Sequence, residues 1–165
     1  MNWHIIRLND PDQAAYNAFF RSGVVGNPLV FRIRPEDIDL RPFATGSTAD
    51  RFTLAAVDDH GQYLGVVSFE REVGRETRRH VGWIYRMFVS PDAAGRGIGR
   101  ELILALIDQA RAIAGVEQLN LTVITQNLRA IRLYESVGFI RYSTEPRAIR
   151  HGDVYLDEDQ MQLRL

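Results

Sequence analysis

Three glycines at alternate positions, Gly95, Gly97 and Gly99, lie between a segment with strand character and a segment with helical character. Glycine permits the backbone conformations in which successive N–H groups converge on one point, and a helix start adds the positive end of its dipole. Arg96 and Arg100 add two positive charges. We therefore predict a phosphate-binding loop. The alternative is a glycine-rich turn that only redirects the chain into its helix.

A second candidate segment begins about thirty residues further on, at Asn127. A helix here places Asn127, Ala130 and Tyr134 on one face, because residues three and four positions apart are neighbours on a helix. Asparagine is a good N-cap, a small alanine lets a ligand approach the backbone, and a tyrosine hydroxyl can donate a proton. The alternative is an ordinary amphipathic helix, with Tyr134 in the core and Gly138 at the helix end.

The composition excludes several classes of enzyme. The chain has no cysteine, which excludes disulfides, thiolate nucleophiles and cysteine-bound metals. All 20 basic residues are arginine, so the phosphate-binding lysine of Walker loops and the Schiff-base lysine of pyridoxal enzymes are absent. Arg100 stands where a dinucleotide-binding loop has its third glycine. We predict no metal site, because the histidines are scattered: His4, His60, His80 and His151.

Charge and hydropathy favour a cytoplasmic protein. The formal net charge is −1, with 20 arginines against 21 carboxylates, so bulk electrostatics do not favour binding to nucleic acid. The apolar runs are far shorter than the roughly 20 residues of a membrane helix, and the first residues lack a signal-peptide pattern. We expect no nucleic-acid or membrane partner. The length of 165 residues suits one domain, and we assign residues 1–165 to it.

The elements that position both candidate segments follow from periodicity and turn residues. We predict a helix from Asp10 to Gly23, a short one from Pro35, with mobile polar residues at 45–50 after it, and two more helices at about 99–114 and 127–137. Strands are predicted at residues 5–8, 52–57, 63–69, 81–89, 119–124, 139–142 and 154–165. This order, β, α, α, β, β, β, α, β, α, β, β, predicts a single-domain α/β fold, a mixed sheet with helices on its faces.

Together, the two candidate segments resemble the GNAT superfamily of acyl-CoA N-acyltransferases. The first family motif, an apolar strand end, a proline turn and a Gly-x-Gly loop, is matched by residues 87–91 and 94–99. The second, N-x-x-A-x-x-x-Y-x-x-x-G-F, is matched by residues 127–139. Ala94 departs from the usual arginine or glutamine, and we expect Arg96 or Arg100 to replace that contact. The resemblance covers residues 52–165 and implies a mostly antiparallel sheet with helices on both faces.

The resemblance also implies acetyl-CoA as cosubstrate and transfer of its acyl group to an amine. In the family, the strand before the loop and the strand after the next helix splay apart around the pantetheine arm; here these are residues 83–89 and 119–124. Tyr134 is expected to protonate the leaving CoA thiolate, and a backbone N–H near Phe88 or Val89 to bind the thioester oxygen. The residues expected at the cofactor are Met87, Phe88, Val89, Gly95, Arg96, Gly97, Ile98, Gly99, Arg100, Asn127, Ala130 and Tyr134.

The general base is not specified by either motif. In several family members a glutamate on the strand before the loop helps to deprotonate the amine, and here Trp83 stands at about that position. The candidate substitutes are a water chain or the side chains of Glu70, Glu72, Tyr85 and His80. We rank Glu70 first because it can flank the cleft, while a solvated charged hairpin over residues 70–79 is the alternative. Trp83 and Tyr85 share a strand face and are expected to line the acceptor pocket.

We therefore expect an N-acetyltransferase that acts on a primary amine of a small molecule or peptide. A protein N-terminal or side-chain acetyltransferase and a non-catalytic CoA-binding regulatory domain are the alternatives. Residues 24–50 and 144–153 are expected to select the acceptor. Neither segment is strongly acidic, so we expect a neutral or weakly charged amine, or an amino acid or peptide whose carboxylate binds arginine, rather than a polycation. For the oligomeric state, we predict a homodimer as one option.

Overall fold

The computed structural model describes residues 2–40 and 48–165. Its seven strands form one sheet in the order β1-β2-β3-β4-β5-β7-β6. All neighbouring strands are antiparallel except β4 and β5, which are parallel. The predicted mixed, mostly antiparallel sheet is confirmed. The strands are β1 (Trp3–Arg7), β2 (Arg51–Asp58), β3 (Tyr63–Arg71), β4 (Val81–Val89), β5 (Gln118–Ile124), β6 (Ile140–His151) and β7 (Val154–Arg164).

Helices cover both faces of the sheet, as predicted. Helix α1 (Gln13–Gly26) buries Tyr16 and Phe20 on one face, in a core that includes Val66 of β3. Helices α2 (Ile98–Arg111) and α3 (Leu128–Ser136) pack on the other face, in a second core. Apolar residues at helical spacing form these contacts, and their removal from water stabilises the fold. Among the described residues, no helix is both long and apolar enough to cross a membrane.

Several predicted boundaries are wrong, and tertiary contacts explain the largest shift. Helix α1 passes through Gly23, its predicted end, because this glycine packs against Phe88 of β4. An added Cβ would lie 2.6 Å from Phe88 Cε2. Residues 10–12 form a short 3-10 helix before α1, with Asn9 as its N-cap, and the Asn9 N–H donates a hydrogen bond to the Asp12 carboxylate. The predicted helix at Pro35 is a single 3-10 turn. Of the segment expected to be mobile, residues 45–50, residues 45–47 lie outside the described residues, and residues 48–50 form a turn in which Thr48 pairs with Arg51.

The parallel strands β4 and β5 separate along their length. They pair only from Val81 to Trp83 and from Gln118 to Asn120. Between Phe88 and Tyr85, β4 has one residue more than the facing segment of β3, which is a β-bulge. Arg86 lies in this bulge with a φ of 48°, a left-handed conformation that is rare for a residue other than glycine. The predicted splay of these strands is confirmed, and it opens the sheet between its two faces.

Candidate active site

A cleft of about 920 Å³ lies where β4 and β5 separate. On the face covered by α2 and α3, its wall contains the glycine loop and the start of α3. On the face covered by α1, it contains residues that follow α1, together with Arg51, Glu70 and Arg86. The cleft therefore connects the two faces of the sheet. We call these two parts the cofactor end and the acceptor end.

The glycine loop presents its backbone at the cofactor end. Gly95 and Gly97 have φ values of 77° and 80°, in the left-handed region, and Gly97 is the N-cap of α2. A Cβ added at either residue would meet no protein atom within 4 Å, so this backbone is open to a ligand. Gly99 has a different role, because its Cβ would lie 3.2 Å from Leu133 Cδ2 and 3.3 Å from Met87 Cε. Ile98 lines the cleft, although its side chain is buried in the core.

Two arginines supply positive charge at this end. Arg100 lines the cleft as predicted, and Arg129, in the first turn of α3, lines it as well. Arg129 was not among the predicted cofactor residues, although its place two residues after the N-cap Asn127 was a usable signal. Arg96 is the one predicted cofactor residue that is not part of the cleft wall. Its charge acts instead on Asp58, whose pKa is lowered mainly by the N–H of Gln62 and further by His60 and Arg96.

Helix α3 brings its three predicted residues to the cleft. Asn127 caps the helix, since its side-chain oxygen accepts a hydrogen bond from the Ala130 N–H at 3.2 Å. Tyr134 is 6% exposed and packs edge-on against Phe139, yet it also lines the cleft. Burial raises the pKa of Tyr134, so its hydroxyl keeps its proton at neutral pH. Tyr134 is therefore a core residue that also has access to the cleft, and its role as a proton donor stays a prediction.

The splayed strands form the middle of the cleft. Met87, Phe88 and Val89 of β4 line one side, and Leu121, Thr122 and Val123 of β5 line the other. Beyond Trp83, the facing edges of β4 and β5 do not pair with each other, which leaves room for a group that pairs with them as an extra strand would.

The candidates for the general base separate into two groups. Glu70 lines the cleft and lies 3.8 Å from Arg51 Nε, and Tyr85 lines the cleft too. Glu72 does not line it. Arg78 binds both carboxylate oxygens of Glu72 at 3.0 and 2.8 Å, and the Trp83 indole donates to it at 3.0 Å. These bonds, Arg78 first, lower the pKa of Glu72 to about 2.

Two further expectations concern residues that lie outside the cleft wall. His80 is not among the residues of the cleft wall. Trp83 was expected to line the acceptor pocket, and this is wrong, because its indole is held on Glu72 and only Tyr85 reaches the wall. In the described part of the chain, no group of three His, Asp or Glu side chains could hold a metal ion.

The acceptor end is built around a segment after α1, residues 27–33, which we call the strap. Two adjacent strap residues contact the β6–β7 hairpin. The backbone oxygen of Phe31 lies 3.1 Å from His151 Nε2, and Arg32 Nε lies 2.6 Å from a carboxylate oxygen of Glu158. Burial raises the pKa of Glu158, and the Arg32 guanidinium opposes this shift. No sequence pattern predicts this pair, since nothing local relates residue 32 to residue 158.

Comparison with known proteins agrees with this geometry. The family model described as "Acetyltransferase (GNAT) family" matches residues 14–139. The L-amino acid N-acyltransferase MnaT of Escherichia coli (strain K12) is 27% identical over 161 residues, which are 93% of this chain and 89% of that protein. A mycothiol acetyltransferase of Saccharopolyspora erythraea is 32% identical over 134 residues, 76% of this chain. The match spans only 44% of that longer relative.

A solved structure has the same fold. It is yncA of Salmonella typhimurium with its cofactor acetyl-CoA, with a TM-score of 0.80 and 24% identity over 100% of this chain and 95% of that one. This likeness concerns the fold alone. The family model spans most of the chain, including the glycine loop and α3. This chain belongs to the acetyltransferase (GNAT) family of enzymes.

Proposed function

We propose that this enzyme transfers an acetyl group from acetyl-CoA directly to a primary amine of a small molecule or peptide. The observation that carries the proposal is the continuous cleft, which joins the open backbone of Gly95 and Gly97 to the splayed strands and to Tyr134. The acetyl-CoA in the Salmonella structure of the same fold supports this choice of cosubstrate.

In the proposed reaction, the pyrophosphate of CoA binds the amides of residues 95–99 and the charges of Arg100 and Arg129. The thioester lies between β4 and β5, where a backbone N–H near Phe88 or Val89 stabilises the negative charge that develops on its oxygen. The amine enters from the acceptor end, and its nitrogen forms a bond to the carbonyl carbon as the C–S bond breaks.

Two side chains handle the protons in this scheme. Glu70, at the acceptor end, accepts a proton from the attacking amine, directly or through water. Tyr134, whose buried hydroxyl is protonated at neutral pH, donates a proton to the CoA thiolate, which has an ordinary pKa near 8.5. The two groups line opposite ends of one cleft, which suits an acid and a base that act on opposite sides of the thioester.

The charges of the acceptor end favour a neutral or weakly charged amine over a polycation. Three arginines line this end, Arg32, Arg51 and Arg86, against the carboxylates of Asp37 and Glu70. A site for a polyamine would need the opposite balance. The E. coli relative is named for L-amino acids, which are amines of the favoured kind.

The test is the release of free CoA from acetyl-CoA with a panel of amines, namely amino acids, short peptides, spermidine and an aminoglycoside. We expect turnover with amino acids or peptides, and an acetylated product of the expected mass. Highest catalytic efficiency with spermidine or the aminoglycoside would refute the charge argument. No turnover with any member of the panel, or activity confined to folded proteins, would refute the proposed acceptor class.

A homodimer and a cytoplasmic location remain predictions. Strand β6 is at one edge of the sheet and exposes Ile140 and Tyr142, which offers a surface for a second copy. Light scattering in solution tests the dimer, and a single monomer mass across the accessible concentration range would refute it.

A further inference from the structure

One charged pair at the acceptor end has no part in the proposed proton transfers. Arg32 of the strap binds Glu158 of β7, with 2.6 Å between Arg32 Nε and a carboxylate oxygen. The two side chains differ in access to solvent, because Glu158 is 1% exposed whereas Arg32 is 50% exposed. Arg32 is part of the cleft wall, and Glu158 lies behind it. The pair therefore presents its positive member to the cleft.

The buried carboxylate fixes this arginine. A buried carboxylate is costly unless it is paired, and Arg32 is the cation that Glu158 binds in the described residues. The Thr122 side chain of β5 also favours the charged form of Glu158 and so lowers its pKa, and Glu145 faces Glu158 across the strand pair β6–β7. Glu158 is thus held by β5 and β7, and it holds Arg32 at the mouth of the splay.

The strap backbone is fixed at the neighbouring residue as well. The carbonyl oxygen of Phe31 contacts His151, and the Phe31 ring packs edge-on against Phe20 and against Phe88. Arg32 therefore extends from a backbone that is attached both to α1 and to the β6–β7 hairpin. A side chain held in this way loses little further freedom when it binds a ligand, which lowers the entropic cost of binding.

The shortest contact with Glu158 is made by Nε of Arg32. Within residues 2–40 and 48–165, the two terminal nitrogens of Arg32 form no hydrogen bond. A guanidinium offers a pair of parallel N–H donors, and a carboxylate is the group that matches them with two oxygens. At the acceptor end, which has three arginines and two carboxylates, an anionic group is the complementary ligand.

We propose that Arg32, positioned by Glu158, binds the carboxylate of the acceptor, so that the substrates are amino acids or short peptides with a free carboxylate. This rests on the proposed function, because it assigns the acceptor of that reaction. Arg32 is then a specificity-determining residue that touches the substrate. Glu158 is a positioning residue that acts through Arg32.

The experiment compares matched acceptors that differ only at the carboxylate. Each set contains an amino acid, its carboxamide, the corresponding amine without the carboxyl group, and a dipeptide. Sets with several different side chains are compared. We expect the wild-type enzyme to prefer the acid over the carboxamide at least tenfold in kcat/KM. The better of the free amino acid and the dipeptide shows which source of carboxylate the site takes.

Three variants locate the effect. In Arg32→Gln, KM for the acid rises at least tenfold, kcat/KM for the carboxamide is unchanged, and the preference disappears. In Glu158→Gln, the preference for the acid over the carboxamide falls by a smaller factor, because Arg32 is still present but has lost the carboxylate that positions it. Arg34→Gln is the matched control, since Arg34 lies two residues along, outside the cleft wall. CoA affinity is the same in all four proteins.

Equal use of the acid and the carboxamide by the wild-type enzyme would overturn the proposal without any variant. The proposal would also be overturned if Arg32→Gln lowered kcat/KM by the same factor for the acid and for the carboxamide. That result would show that the ion pair has only a structural role. If Arg32→Gln does not fold, the wild-type comparison still decides. A wild-type enzyme that acetylates the carboxamides but prefers no acid refutes only this inference, whereas no acetylation of any amine refutes the proposed function.

Discussion

At the cofactor end of the cleft, the wall is formed by main-chain groups and by residues that are close together in the sequence. At the acceptor end, it is formed by side chains from distant parts of the chain. The glycine loop and the cap of α3 each lie within a few residues. The acceptor end instead combines the strap with β2, β3 and β7, through pairs such as Arg32–Glu158 and Arg51–Glu70. A surface made of main-chain amides suits a phosphate group, and a surface made of side chains can be changed residue by residue. We expect the first end to set cofactor binding and the second to set acceptor choice.

The largest effect is expected at Tyr134, which belongs to the cofactor end but acts in the chemical step. Replacing it in Tyr134→Phe removes the proposed proton donor and keeps the ring contact with Phe139. We expect kcat to fall on the order of 100-fold, with CoA affinity nearly unchanged. Tyr142→Phe, at an exposed tyrosine of β6, is the control. Turnover at the wild-type rate in Tyr134→Phe would mean that water protonates the thiolate.

At the acceptor end, Glu70→Gln removes the proposed proton acceptor. We expect kcat/KM to fall about tenfold at neutral pH, because Tyr85 and water remain as weaker substitutes. The deficit shrinks at higher pH, where more of the amine is already neutral in solution. The comparison is a pH profile of kcat/KM for both proteins, with Glu76→Gln on the exposed surface as control. Superimposable profiles would exclude Glu70 as the base.

The division between the two ends is tested at Gly97. Gly97→Val places a branched side chain where the phosphate is proposed to approach the backbone. We expect the dissociation constant of CoA to rise at least tenfold, a loss of about 1.4 kcal/mol, measured by calorimetry. Gly61→Val is a close control, because Gly61 has a similar φ of 76° and the same open space but lies in the β2–β3 hairpin. Unchanged CoA affinity in a folded Gly97→Val protein would remove the phosphate site.

The smallest effect is expected on the free energy of unfolding, at Glu72, whose carboxylate does not line the cleft. Glu72→Gln weakens the charged hydrogen bonds to Arg78 and Trp83, and we expect a loss of about 1 kcal/mol at pH 7. Folding lowers the pKa of Glu72 to about 2, so its contribution is complete above the unfolded value near 4.3 and is lost as the pH falls toward 2. Denaturant unfolding should therefore show a difference from wild type that narrows below pH 4.5. A difference that stays constant with pH would show that the charge of Glu72 is not its source.

The sequence predicted most of the fold because alternation and helical spacing are local properties. The order of the seven strands along the chain, three of the four predicted helices and the splay between β4 and β5 are present in the structure. The boundaries that were wrong depend on tertiary contacts. Helix α1 continues through Gly23 because Phe88 packs there, and β6 runs to His151 because it pairs with most of β7.

The same distinction explains the candidate site. Eleven of the twelve predicted cofactor residues line the cleft, and Arg96 does not, since an arginine in a turn has no local rule for its direction. Trp83 was assigned to the pocket by strand alternation, but its indole is held by Glu72. Glu158 lies in the last predicted strand, and no role was predicted for it. Its burial depends on Arg32, a residue that no pattern in the sequence connects to it.

In the proposed complex, CoA binds along this cleft, with its pyrophosphate on the glycine loop and its sulfur beside Tyr134. A crystal structure of the protein with bound CoA tests this most directly. We expect phosphate oxygens within hydrogen-bond distance of the amides of residues 95–99, and the CoA sulfur next to the Tyr134 hydroxyl between β4 and β5. CoA bound away from the loop, or a sulfur atom out of reach of Tyr134, would contradict it.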